Sequence, residues 1–453
     1  MPSIPAKTKL TTTNTVSILN AIRNSASVNY RSNVPAATMD VSSIRTIGAT
    51  LLDEYPSLKN EFIDSLINRI GRVILNNNYF YNPLAPFKKG MLEYGETVEE
   101  IFVGIANIQQ FNPEVAESEV EKRVIPDASS AFHTLNYQKF YKVTISDYEL
   151  RNAFLSFEGV YDLVERIINS MLQGAEYDEF LMMKYMIAKS ALNGQLSAVE
   201  IPDVTGANMN GIATILRGNS NAITFPSKNR NLAGVLTSTP KDRQYLIMTA
   251  DFDAAFDVEV LASAFNMDKA EFLGHRVIVD SFSEFDVTRL AEILGEDFTP
   301  FTAAELEALA KVPAVLVDSE WFMIFDKLLE MRDRYNEQGL YRNHWLHVWK
   351  IFSTSPFAQA ELFVAGTPAV NSVTVTPTDA TVAAGSQLAL TVTVDAANFA
   401  SKAVDYTVTG DGVSIDRNGL VTVDADATAG TYTITVTSVA DSTKTATVTI
   451  TVE

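Results

Sequence analysis

The sequence predicts an α+β body followed by a small all-β sandwich. Three observations predict this: an abrupt change of composition near Gly366-Thr367-Pro368, strict two-residue alternation after it, and helix-period segments mixed with short apolar strands before it. A chain of 453 residues is also too long for one ordinary core, so two or more domains are expected.

From Ser57 to Gly71, Leu58, Phe62, Leu66 and Ile70 recur four apart and define one helix face. The segment from Asn82 to Ser146 differs in character. It holds Pro83, Pro86, Gly90 and Gly95, with strand-like runs at Val98 to Ile105 and Tyr141 to Ile145, and reads as an extended β excursion. From about Phe157 to Ala191 the pattern is helical, with Val160, Leu163, Val164, Ile167, Ile168, Met171 and Leu172 on the inner side. Such a helix spans about 50 Å, and Gly174 is a candidate point for a bend or break. Short apolar strands follow at Gln244 to Thr249, Arg276 to Asp280, Ala314 to Val317 and Trp321 to Phe325, with a helix expected over Val258 to Phe265. After Thr367 the runs Val373–Val375, Leu388–Val394 and Tyr432–Val436 alternate Val, Leu or Ile with Thr. Turn signals at Ala384-Gly385-Ser386, Gly410-Asp411-Gly412, Asn418-Gly419 and Ala429-Gly430 break these runs into roughly seven strands, a small sandwich.

Composition excludes several functions. No run approaches ~18 consecutive apolar residues, so no membrane span is indicated. The N-terminus MPSIPAKTKLTTTNTV lacks the apolar core of a secretory signal, which argues against export by that route. Cysteine is absent, which rules out disulfides and thiolate metal sites and fits a reducing compartment. The net charge is −20, of which the nine acidic and three basic residues from Thr367 onward contribute −6. A surface of that sign does not attract polyphosphate, so nucleic-acid binding through a broad basic face is not expected.

Candidate sites are few. Asp251-Phe-Asp253 follows an apolar strand, as a phosphoryl-transfer nucleophile and acid would, but Ala255 stands where Thr or Val is expected, and helix capping is the plainer reading. His344 and His347 lack a third metal ligand nearby; on a strand they point to opposite faces, and packing or a subunit contact is expected. Asp411, Asp416, Asp424 and Asp426 lack EF-hand spacing and read as turn caps. Glu114 to Glu121 is an acidic run of the kind found on solvated faces. Phe87, Lys88, Lys89 and Gly90 are the candidates for a subunit contact, with a phosphate contact and an ordinary solvated turn as the other readings. No P-loop, GxGxxG, GxSxG or HExxH is present, and no enzyme activity, cofactor or metal is expected.

The ordered segments Asn20–Ser25, Phe62–Gly71, Asn82–Gly90, Leu261–Met267, Phe272–Gly274, Val315–Asp318, Trp321–Met323, Gly339–Tyr341 and His347–Trp349 resemble the major capsid proteins of phi-29-like podoviruses. The tail resembles the bacterial immunoglobulin-like (Ig-like) domain, group 2, that this family carries at its C-terminus. The resemblance implies a Hong Kong 97-type capsid fold over residues 1–365 and an Ig-like domain over 366–453. It implies an N-terminal arm over about 1–50, an extended loop and peripheral strands over about 82–146, a spine helix over about 157–191, and an axial domain over about 244–363. Ser283 to Val312 is longer than the family's direct passage between strands, and Gln195 to Pro240 matches the pattern poorly.

The implied role is a self-assembling shell subunit. Its partners are further copies in pentamers and hexamers, a scaffolding protein and a portal, around a DNA genome bound without sequence specificity, in a virion assembled in the bacterial cytoplasm. The tail is expected on the outer surface as a separable module, such that a chain ending at Gly366 still folds. The alternative is a bacterial surface protein of adhesin type.

Overall fold

The computed structural model describes residues 12–55, 57–59, 61–62, 65, 80–92, 97–106, 108, 128–155, 159–257 and 275–453. The body is built on two sheets and one long helix, Gly159–Leu192. The first sheet has the order β1-β9-β10-β4, with β1 Lys88–Met91, β9 Phe322–Asn336, β10 Tyr341–Thr354 and β4 Tyr137–Ser146. β1 lies parallel to β9, while β9, β10 and β4 pair antiparallel. Alternation along β10 buries Arg342, His344, Leu346, Val348 and Lys350 and turns Tyr341, Asn343, Trp345, His347 and Trp349 to the other face. The two histidines thus lie on opposite faces of a strand.

The second sheet has the order β5-β11-β8-β6-β7, with β5 Ser197–Ile201, β11 Ala360–Ala365, β8 Ala314–Asp318, β6 Gln244–Thr249 and β7 His275–Val279. Every residue of β8 is buried, as a central strand covered on both faces requires. Ile247, Val315, Val317, Leu362 and Val364 join the core that includes the long helix. Leu246, Met248, Ala314, Leu316 and Phe363 form a second core with helices Met209–Ala222 and Ala250–Phe256.

Several expectations change shape here. Within the span 244–363, β9 and β10 form a long ribbon after β8 and are joined in the first sheet by β1 and β4. The poorly matching segment from Gln195 to Pro240 supplies β5 and a covering helix to the second sheet. The long helix is continuous through Gly174, where a Cβ would lie 3.3 Å from the Tyr141 ring, so the glycine serves close packing rather than a bend. From Thr12 onward the expected arm is helical (Thr12–Ser25, Val28–Asn33, Val41–Ala49), capped by Ser27 and Asp40, and it buries Leu19, Ile22, Tyr30, Ile44, Ile47 and Leu51 in the body core. Of the helix face expected after Ser57, Leu58 and Phe62 are buried; Leu66, Ile70, the helix over Val258 to Phe265 and the acidic run Glu114 to Glu121 lie outside the described residues. The insertion at 283–312 forms two capped helices, Val287–Leu294 and Ala303–Leu309, whose Leu290, Ile293 and Leu309 pack on the body core.

The tail is a sandwich with its own core, including Val373, Val394, Val421, Ile434, Val436, Val448 and Ile450. Its largest sheet has the order β13-β20-β19-β16, with β13 Asp379–Val382, β20 Thr445–Val452, β19 Gly430–Ser438 and β16 Val404–Val408. Asp416 caps a turn as expected, its Oδ1 accepting the amides of Asn418 at 2.9 Å and Leu420 at 2.8 Å across Gly419.

Candidate functional site

Three charged side chains within about two turns of the long helix, Asp178, Glu179 and Lys184, lie in the interior and pin the helix to different elements. Asp178 accepts a bidentate pair from Arg289 of the insertion, at 2.7 and 2.9 Å, and a 2.6 Å hydrogen bond from the Tyr141 hydroxyl of β4. The Asp178 carboxylate and its hydrogen bonds raise the Arg289 pKa further, and burial pushes the Tyr141 phenol up. Beside this contact lies an open groove of about 440 Å³ lined in part by Phe140, Lys142, Gly174 and Arg289.

Glu179 is the centre of a four-charge network. Its carboxylate pairs with Lys350 of β10 and, at 3.0 Å, with Lys88 of β1, and it accepts the Asn82 amide at 2.9 Å. Asp326 of β9 closes the ring, 3.2 Å from Lys88 and 3.0 Å from Lys350. Burial works against both Lys88 and Asp326 in their charged forms, but the opposite charges win: the Lys88 pKa is raised and the Asp326 pKa lowered. One turn further, Lys184 binds both oxygens of Asp280, at 2.8 and 2.7 Å, after β7.

The four residues read as a subunit contact fall at this network. Phe87 is buried between Tyr245 and Phe322, at ring separations of 4.8 and 4.9 Å. Lys88 is committed to Glu179 and Asp326, and Lys89 donates to Glu320 at 2.6 Å and to the Ser319 carbonyl at 3.0 Å. Gly90 is exposed with φ +97, a conformation that favours glycine. No pattern in the sequence announced Asp178, Glu179 and Lys184, although charges inside the run Asp-Glu-Phe-Leu-Met-Met-Lys were a usable signal.

After β1, β2 Thr97–Val103 and β3 Ala128–Thr134 pair antiparallel as a hairpin. Its inner face is anchored. His133 Nδ1 lies 2.7 Å from Ser353 Oγ and Nε2 lies 3.2 Å from Glu100, Glu100 accepts Ser355 Oγ at 2.7 Å, and Phe102 stacks on Phe357. Its outer face presents Ile101, Val103 and Phe132, each more than half exposed (62%, 58% and 63%).

Asp251 and Asp253 stand in the first turn of helix Ala250–Phe256. Thr249 is the N-cap, and Asp253 pairs instead with Arg276 of β7, so an ion pair takes the place of the expected cap. His344 is fully buried with neither ring nitrogen hydrogen-bonded, and burial lowers its pKa to about 4. Among the described residues no group of three His, Cys, Asp or Glu is arranged to hold a metal, and no helix is long and apolar enough to cross a membrane.

Residues 19–364 match the Phi29-like phage major capsid protein family, and residues 369–450 match the bacterial Ig-like domain, group 2. The chain belongs to the Phi29-like phage major capsid protein family. It is 37% identical over 428 residues to the major capsid protein of Bacillus phage B103, covering 92% of this chain and 89% of that one. It is 35% identical over 424 residues to that of Bacillus phage PZA, covering 92% and 88%. The fold is the Hong Kong 97-type capsid fold: the capsid structure of Staphylococcus phage Andhra aligns over 64% of this chain and 85% of its own with a TM-score of 0.51, at 15% identity. In this major capsid protein the internal ion pairs join the long helix to β1, to β10, to the end of β7 and to the 283–312 segment.

Proposed function

We propose that copies of this major capsid protein, arranged as pentamers and hexamers, close into an icosahedral or prolate shell around double-stranded DNA. A scaffolding protein and a portal take part in its assembly in the bacterial cytoplasm. The observation that carries this reading is the hairpin β2–β3, anchored on one face and apolar on the other. An exposed sheet face with Ile101, Val103 and Phe132 is costly in a free subunit and gains its burial against a neighbour. The matching surface is the outer face of β4 and β10, where Phe140, Trp345, His347 and Trp349 stand together. Such a head-to-tail contact, repeated with small changes of angle, closes rings of five and six. Of Phe87 to Gly90, the first three hold the strand from which the hairpin departs, and Gly90 is the residue that a neighbouring subunit can reach. The Ig-like domain, acidic and rich in threonine, faces the exterior.

Electron microscopy of the expressed protein, with and without its scaffolding protein, tests the reading. Shells, tubes or capsomer-like rings are expected from the wild type. The double variant Ile101→Asp, Phe132→Asp is expected to stay as folded subunits, with unchanged circular dichroism. Wild-type assembly by the double variant, or no assemblies from the wild type under any condition, overturns it.

A further inference from the structure

The Ig-like domain has a core of its own, yet the turn between β15 Thr391–Ala397 and β16 points the other way. Ala400 belongs to the tail's core, while its neighbour Phe399 is buried in the core of the body. Asn398 and Phe399 reach this arrangement with φ of 48° and 60°. Non-glycine residues persist in that region only where their surroundings hold them.

The body is shaped to receive this turn. The long helix ends in a left-handed glycine cap: Gly194 has φ +68, its amide donates to Ala191 O at 2.9 Å, and the Gln195 amide donates to Ser190 O at 2.9 Å. The carbonyl of Leu192, at that helix end, accepts the Lys402 ammonium at 2.9 Å, a cation placed where the helix dipole favours one. A Cβ on Gly194 would lie 2.9 Å from Ala400 O and 3.0 Å from Lys402 N, so the close approach admits only glycine. Two further bonds spread the contact. Arg417 donates to the Ala233 carbonyl at 2.6 Å, and Thr367 Oγ1 donates to Glu200 of β5 at 2.8 Å. These body residues lie within, or just before, the stretch from Gln195 to Pro240 that departs from the family's pattern.

We propose that residues 192–240 form a dedicated socket for the Ig-like domain, which makes that domain a fixed strut on the end of the long helix rather than a tethered module. The strut ties three body segments together: the helix end, the edge strand β5 and the loop around Ala233.

Hydrogen exchange on the full-length, unassembled subunit tests this. In the wild type, amides of 192–196 and 398–402 are protected. Phe399→Ala speeds their exchange about tenfold or more, while the tail's central strands, 432–436 and 448–452, stay protected. Equal exchange in wild type and variant overturns the proposal. If Phe399→Ala also loosens the tail's strands, the exposed pair Lys402→Ala, Arg417→Ala decides, since it leaves both cores intact. Faster exchange at 192–196 and 398–402 in that pair supports the socket, and unchanged exchange overturns it.

Discussion

His344 shows how a single side chain sets a response that its sequence context conceals. Its ring is fully buried on β10 with both nitrogens unpaired, and burial, with the Arg342 charge assisting and Asp333 opposing, lowers its pKa to about 4. The unfolded chain titrates this group near 6.5, so between that value and about 4 the unfolded state binds the extra proton and the folded state does not. The stability that neutral His344 permits is complete above pH 6.5 and is lost as pH falls toward 4, at about 1.4 kcal/mol per unit. His344→Leu removes both the unpaired nitrogens and the proton site. Urea unfolding at a series of pH values is expected to show the variant gaining on the wild type steadily from pH 6.5 down to 4, by roughly 3 kcal/mol in all. A constant difference across that window would show that the ring is not responsible. Asn343-His-Trp-Leu-His-Val-Trp349 allowed either a strand or a helix, and only the register against β4 and β9 places His344 inside.

At the scale of elements, what the sequence made legible was what local pattern controls. The alternation of Leu388–Val394 and Tyr432–Val436 marks strands with one buried face, and the apolar period from Val160 marks the long helix. Patterns that depend on distant partners were not legible. Gly174 carries a helix-breaking signal, but it lies under Tyr141, a residue more than thirty positions earlier, and the helix passes through it unbroken. The charges of Asp178, Glu179 and Lys184 look like surface positions until Arg289, Lys88, Lys350 and Asp280 are brought against them from four other elements. The consequence is a strong prediction for Glu179, which joins the helix to β1 and β10 at once. Glu179→Ala leaves the buried Lys350 and the partly buried Lys88 with only Asp326 to share, and breaking the buried Glu179–Lys350 pair in this way costs about 3–5 kcal/mol. Chemical denaturation of the unassembled subunit is expected to show that loss. A change below about 1 kcal/mol would place the network in the class of weak surface pairs.

For the whole molecule the decisive quantity is the charge that each subunit brings to the shell. The sequence carries −20, with negative charge in both body and tail, so every association step brings like charges together. The contact proposed through Ile101, Val103 and Phe132 is apolar and does not weaken with salt, whereas the repulsion does, because the screening length falls from about 30 Å at 0.01 M ionic strength to about 10 Å at 0.1 M and 3 Å at 1 M. Assembly should therefore accelerate as salt rises, and most steeply below the concentration at which the screening length becomes comparable with the spacing of charges on adjoining surfaces. Light scattering of purified subunits, followed from low salt to about 0.5 M sodium chloride, is expected to show a rising rate of assembly that then levels off. The opposite trend, with assembly favoured at low salt, would mean that ion pairs between subunits outweigh the net repulsion, and the contact would then have to be sought among the charged residues around Arg332 and Arg334 of β9 rather than on the apolar hairpin.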